Sequence, residues 1–141
     1  MAKVAIYLNF QGKTEEAFNF YKSIFNTEFS ADIFRMGGMG SPELPEEDKN
    51  KVMHVALPTL NGVEIRGTDN LESMGHFTKI GNNTTIYLEP DTREETERIF
   101  GLLAEGGSDL APLAEQMWGA LWGCCLDKYG IRWMLNFPLK K

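Results

Sequence analysis

An internal repeat constrains this chain more than any other feature. Ile6-Tyr7-Leu8 returns as Ile86-Tyr87-Leu88, and since 86 − 6 = 80 the offset is eighty positions in a chain of 141. In both copies a glutamate pair, Glu15-Glu16 and then Glu94-Glu95, opens a stretch with helical spacing. A three-letter match alone is weak, but strand, acidic-headed helix, strand and hairpin in the same order twice reads as a duplicated β-α-β-β-β unit. Each unit has apolar strand faces that need a helix to cover them.

The local patterns fill in the two copies. Val4 to Phe10 alternates, with Val4, Ile6, Leu8 and Phe10 on one face and Ala5, Tyr7 and Asn9 on the other. Thr14 offers an N-cap, and Ala17, Phe18, Tyr21, Ile24 and Phe25 recur at three- and four-residue spacing, which predicts a helix over Thr14–Phe25. A second strand is expected from Glu28 to Arg35, followed by a mobile surface loop over residues 37–50, where glycines and prolines break regularity. Val52 to Pro58 and Val63 to Thr68 flank Asn61-Gly62, a hairpin signal because both residues tolerate positive φ. Residues 70–83 lack sustained periodicity and read as a connector between a first module of about residues 1–73 and a second of about 84–141.

In the second copy, Thr84 to Glu89 is a strand, and Asp91 or Thr92 caps a helix carrying Ile99, Leu102 and Leu103. An irregular strand is expected around Leu110 to Leu113. Trp118 to Leu126, the turn Asp127-Lys128-Tyr129-Gly130, and Ile131 to Phe137 then form a closing hairpin. Its last strand puts Ile131, Trp133, Leu135 and Phe137 on one face and Arg132, Met134 and Asn136 on the other. Asp127 initiates the turn, and Trp133 packs under a helix. The fold class is therefore α+β: two βαβββ modules in a curved mixed sheet, helices on the outer face, polar faces lining a cup-shaped cavity.

Composition narrows the function classes. The net charge of −6 opposes a grip on phosphate backbone, so nucleic acid is not an expected partner. Cys124 and Cys125 are neighbours pointing to opposite faces of one strand, which fits reduced packing residues rather than a disulfide framework. No apolar run approaches membrane-spanning length, and the amino terminus runs into a strand without the pattern of a signal peptide. The expectation is a single cytoplasmic domain with no membrane partner.

Several stretches carry a family resemblance. Tyr7-Leu8-Asn9-Phe10-Gln11-Gly12 with Glu16-Ala17 and Phe20-Tyr21, the strand His54-Val55-Ala56-Leu57, Trp118-Gly119, and Asp127-Lys128-Tyr129-Gly130-Ile131-Arg132-Trp133-Met134 resemble the PhnB-like branch of the vicinal oxygen chelate superfamily. That superfamily includes glyoxalase I, extradiol dioxygenases and bleomycin-binding resistance proteins. The resemblance implies a homodimer with cavities formed by paired modules. Metal enzymes of the superfamily present His or Gln early in each module and Glu on its last strand. Here those positions hold Ala5 or Ile6, Arg66 or Thr68, Asn83 or Thr85, and Met134. Such groups cannot supply a hard-cation site, so no cofactor is expected. His54 with Glu64 or Glu89 leaves room for at most a weak divalent metal site. The methyltransferase label attached to the branch finds no Gly-rich loop after a strand in a parallel βαβ context.

The candidate ligand-binding residues are those on the strand faces left over by the apolar pattern: Tyr7, Asn9, His54, Glu64, Arg66, Tyr87, Glu89, Arg132 and Met134, with Trp118 and Trp122 as an aromatic wall or a dimer contact. His54 is the candidate catalytic group, because imidazole is the side chain type best suited to acid–base work at physiological pH. A lone strand histidine is nonetheless more often a satisfied structural residue than a catalyst. Glu64, Arg66, Glu89 and Arg132 either recognise a polar ligand or form cross-strand ion pairs, which when exposed contribute about 0–1 kcal/mol. Two functions stand side by side: binding of an unknown small molecule without catalysis, and a lyase, isomerase or dioxygenase of the same superfamily using His54 or a carboxylate.

Overall fold

A computed structural model describes residues 2–139. The chain divides into two compact units, the first ending at Lys79 and the second beginning at Ile80. The first contains β1 (Ile6–Phe10), α1 (Thr14–Phe25), β2 (Phe34–Arg35), β3 (Val52–Pro58) and β4 (Glu64–Asp69). The second contains β5 (Ile86–Leu88), α2 (Arg93–Ala104), β6 (Ser108–Gln116), β7 (Ala120–Leu126) and β8 (Arg132–Pro138). Strand order is β1-β4-β3-β2 in one sheet and β5-β8-β7-β6 in the other. In both, the first and last strands pair in parallel and the remaining pairs are antiparallel. The repeat is thus βαβββ twice in an α+β fold, with Tyr7 and Tyr87 at matching places in the parallel pairs.

Each helix covers one face of its own sheet. Ala17, Phe18, Tyr21, Ile24 and Phe25 of α1 are buried, as are Leu8, Phe10, Val55, Leu57 and Ile65 of the strands. Phe18 stands edge-on to both Phe10 and Tyr21. Gly67 on β4 makes room for it, since a Cβ there would lie 2.6 Å from the Phe18 ring. In the second unit Ile99, Phe100 and Leu103 of α2 bury with Leu121, Cys125, Trp133 and Leu135. Trp133 is fully buried and donates its indole N–H to Asp127 Oδ2 at 2.8 Å, while Oδ1 of the same carboxylate accepts the N–H groups of Tyr129 and Ile131. No helix among the described residues is long and apolar enough to cross a membrane.

Several expectations change in detail. The second strand shrinks from Glu28–Arg35 to Phe34–Arg35, because exposed Glu28, Ser30, Ala31 and Asp32 give this edge segment no apolar alternation to hold a ladder. Residues 37–50 have anchors of their own. Met36 and Leu44 bury with Leu71, and buried Asp48 accepts from Lys51 Nζ at 2.9 Å and Ser73 Oγ at 2.6 Å. Asn61 and Gly62 do take positive φ, 55° and 75°, inside a three-residue loop closed by Thr59 N–H to Val63 O. The strand expected at Leu110–Leu113 extends over nine residues, with register shifts that hide its period. Trp118 lies in the turn before β7 rather than within the strand.

Candidate functional site

Strand register decides which side chains share the faces turned away from the helices. In the first unit Tyr7 is opposite Arg66, Ala56 is opposite the same arginine, Asn9 is opposite Thr68, and Phe34 is opposite His54. Period-two alternation then sets Tyr7, Asn9, His54, Glu64 and Arg66 on one face. Tyr7 and His54 meet there, hydroxyl to Nδ1 at 3.2 Å with ring centroids 5.9 Å apart. Asn9 is exposed one row away.

Glu64 and Arg66 pair along β4 rather than across strands. Oε1 of Glu64 accepts from Arg66 Nε at 3.0 Å and Nη2 at 2.9 Å, and Oε2 accepts from Ser30 Oγ at 2.6 Å, with Lys3 Nζ 3.4 Å away. The Ser30 hydrogen bond first, then those of Arg66, bring the Glu64 carboxyl down to about 2. Ser30 was invisible as a partner in the sequence because the segment holding it is not a regular strand.

The second unit repeats the layout with different chemistry. Tyr87 is opposite Met134, which is opposite Cys124, and Trp122 is opposite Asn136. Tyr87 donates its hydroxyl to Glu89 Oε2, and this hydrogen bond raises the phenol above its ordinary range. Asn136 Nδ2 donates to the same oxygen at 3.4 Å. Asn136 was legible as a face residue from alternation, but its link to Glu89 was not. Trp118 reaches Trp122 edge-on, with centroids 6.1 Å apart at 71°. Arg132 lies at the start of β8, 3.7 Å from Asp109 Oδ2. Arg132 thus has its ion-pair partner on β6, whereas Glu89 is met by the hydrogen-bond donors of Tyr87 and Asn136.

A metal of the superfamily kind finds no fitting donor set. Arg66 and Met134 stand in matching rows opposite the two tyrosines, and a guanidinium and a thioether are poor partners for a hard cation. Among the described residues no group of three or more His, Cys, Asp and Glu side chains is arranged to hold an ion.

Residues 2–136 match the profile of the family described as 3-demethylubiquinone-9 3-methyltransferase. The chain belongs to that family. Two solved structures agree. Protein PA1353 from Pseudomonas aeruginosa is 30% identical with a TM-score of 0.83, the match covering 99% of this chain and 100% of that one. A putative 3-demethylubiquinone-9 3-methyltransferase, PhnB protein, from Bacillus cereus is 31% identical with a TM-score of 0.78, over 96% and 99%. The fold extends to a glyoxalase/bleomycin resistance protein/dioxygenase family enzyme from Burkholderia phytofirmans PsJN, at 16% identity and a TM-score of 0.60, over 98% and 100%. No curated protein matches the chain. The chain is therefore PhnB-like, with a fold that the glyoxalase/bleomycin resistance protein/dioxygenase family enzyme shares.

Proposed function

We propose that this PhnB-like chain binds a small molecule on the sheet faces turned away from its helices, without the metal triad of its superfamily. One observation carries the reading. Tyr7 and Tyr87 stand 49% and 53% exposed on those faces, on the edge strands β1 and β5, each hydrogen-bonded to a polar partner, His54 or Glu89. An aromatic ring with a positioned hydroxyl offers a ligand both stacking area and direction. Asn9, Arg66, Trp122, Arg132 and Met134 are the further contacts, and the working assembly is a cytoplasmic homodimer.

The methyl transfer named in the family description is not our reading. Each sheet has a single parallel pair, and β1 ends at Gln11-Gly12 with no Gly-rich turn for a nucleotide-type cofactor. A catalytic reading has one observation in its favour, the Tyr7–His54 hydrogen bond, which joins two proton-carrying groups. His54 would then act as general base towards a bound small molecule, and turnover would fall in His54→Gln while ligand affinity held.

Native mass spectrometry of the protein purified from cells tests the binding reading. The expected spectrum shows an adduct of small-molecule mass that is lost on denaturation and weakened in Tyr87→Ala. Calorimetry with zinc, nickel, manganese and iron(II) runs alongside. A stoichiometric micromolar site lost in His54→Ala would replace this reading with a metal-dependent enzyme.

A further inference from the structure

Among the described residues of the second sheet's polar face, Arg132 has a hydrogen-bonding capacity that is largely unspent. Its side chain is 17% exposed, yet Nε is buried without a partner. The ion pair with Asp109 is 3.7 Å long, beyond hydrogen-bond reach, and Nη2 has only the Cys124 sulfur, 4.0 Å away. A guanidinium carries five N–H donors in a planar fork that matches carboxylate and phosphate oxygens, and withdrawing it from water without acceptors is unfavourable. Arg66, on the polar face of the first unit, shows the contrast: its Nε and Nη2 are both met by Glu64.

The neighbours of Arg132 add direction. Met134 lies two residues along the same face, about 7 Å away, and Asn136 about 13 Å away by strand rise. Met134 is flanked by Tyr87 and Cys124, and Asn136 by Trp122. Glu89, beside Asn136, makes the far end acidic. One cationic end, an apolar middle and one acidic end accept a molecule in a single orientation.

We propose that Arg132 anchors the oxyanion of the bound small molecule, a carboxylate or a phosphate, with its apolar body laid along Met134 towards Trp122. This rests on the small-molecule reading above and names the ligand class. Asp109 competes with the oxyanion for the guanidinium. It sits in the left-handed region at φ 51°, which asparagine also tolerates, and its side chain is 67% exposed. Asp109→Asn therefore removes the competing charge without disturbing the fold.

Titration calorimetry at low salt with benzoate, inorganic phosphate and uncharged benzamide tests the assignment. Benzoate or phosphate is expected to bind about tenfold or more tighter than benzamide, to lose that advantage in Arg132→Gln, and to gain a few-fold in Asp109→Asn. Which of the two anions binds separates the carboxylate from the phosphate class. Equal affinity for benzoate and benzamide, with phosphate silent, overturns the oxyanion anchor and leaves small-molecule binding standing. Unchanged anion affinity in Arg132→Gln, or weaker binding in Asp109→Asn, likewise overturns it. Failure of all three probes to bind the unsubstituted protein contradicts both readings.

Discussion

Thr14 donates both its backbone N–H and its hydroxyl to a single oxygen of Asp69, at 3.0 and 2.6 Å, across 55 positions of sequence. The other oxygen accepts the Val52 N–H at 2.8 Å. One buried carboxylate thus joins the start of α1, the start of β3 and the end of β4, and holds the helix to the face opposite Tyr7 and His54. Asp69→Ala strands three buried donors and is expected to lower stability by about 3 kcal/mol, with Asp69→Asn intermediate. Urea unfolding measures both, and a loss in Asp69→Ala under about 0.5 kcal/mol, within the range of ordinary surface changes, contradicts this role.

Glu64 makes stability depend on acid. Its folded carboxyl titrates at about 2, below the ordinary value of 4.5, so the folded state binds fewer protons than the unfolded chain between those values. The stabilisation is complete above about 4.5 and disappears as pH falls through about 2. Melting temperatures of the unsubstituted protein and Glu64→Gln should therefore differ most near neutrality and converge towards pH 2. A gap that stays constant from pH 7 to pH 2 counts against the Ser30 and Arg66 hydrogen bonds.

Much of this fold was legible because both kinds of period were present. Three- and four-residue spacing located α1 at Thr14–Phe25, and two-residue alternation on Arg132–Phe137 named the buried face of β8. What failed was governed by contacts distant in sequence. Thr14 reads as an N-cap, but the structure puts it at the first helical position, with Asp69 supplying the oxygen that a cap residue would have supplied locally. The nine-residue β6 was obscured by its register shifts and by the positive φ of Asp109. Of the site, membership of the polar faces followed from parity, whereas the pairings Tyr7 with His54, Tyr87 with Glu89, and Glu64 with Ser30 depend on rotamers and strand register that no local pattern encodes.

Exposed apolar residues call for a partner surface. Met117 and Trp118, in the turn between β6 and β7, are 98% and 62% exposed. We infer a homodimer that covers them. Sedimentation equilibrium at micromolar concentration should give twice the chain mass, and Trp118→Ser should weaken the association. A monomer at that concentration contradicts the assembly.

Binding on the helix-free sheet faces is the central claim, and NMR titration with a fragment library reads it residue by residue. The account predicts saturable shifts at Tyr7 and His54 in the first unit, or at Tyr87, Met134 and the Trp122 indole N–H in the second, with the Trp133 indole, buried under α2, unmoved. Shifts confined to the exposed sides of α1 and α2, or no saturable shift on either sheet face, would contradict it.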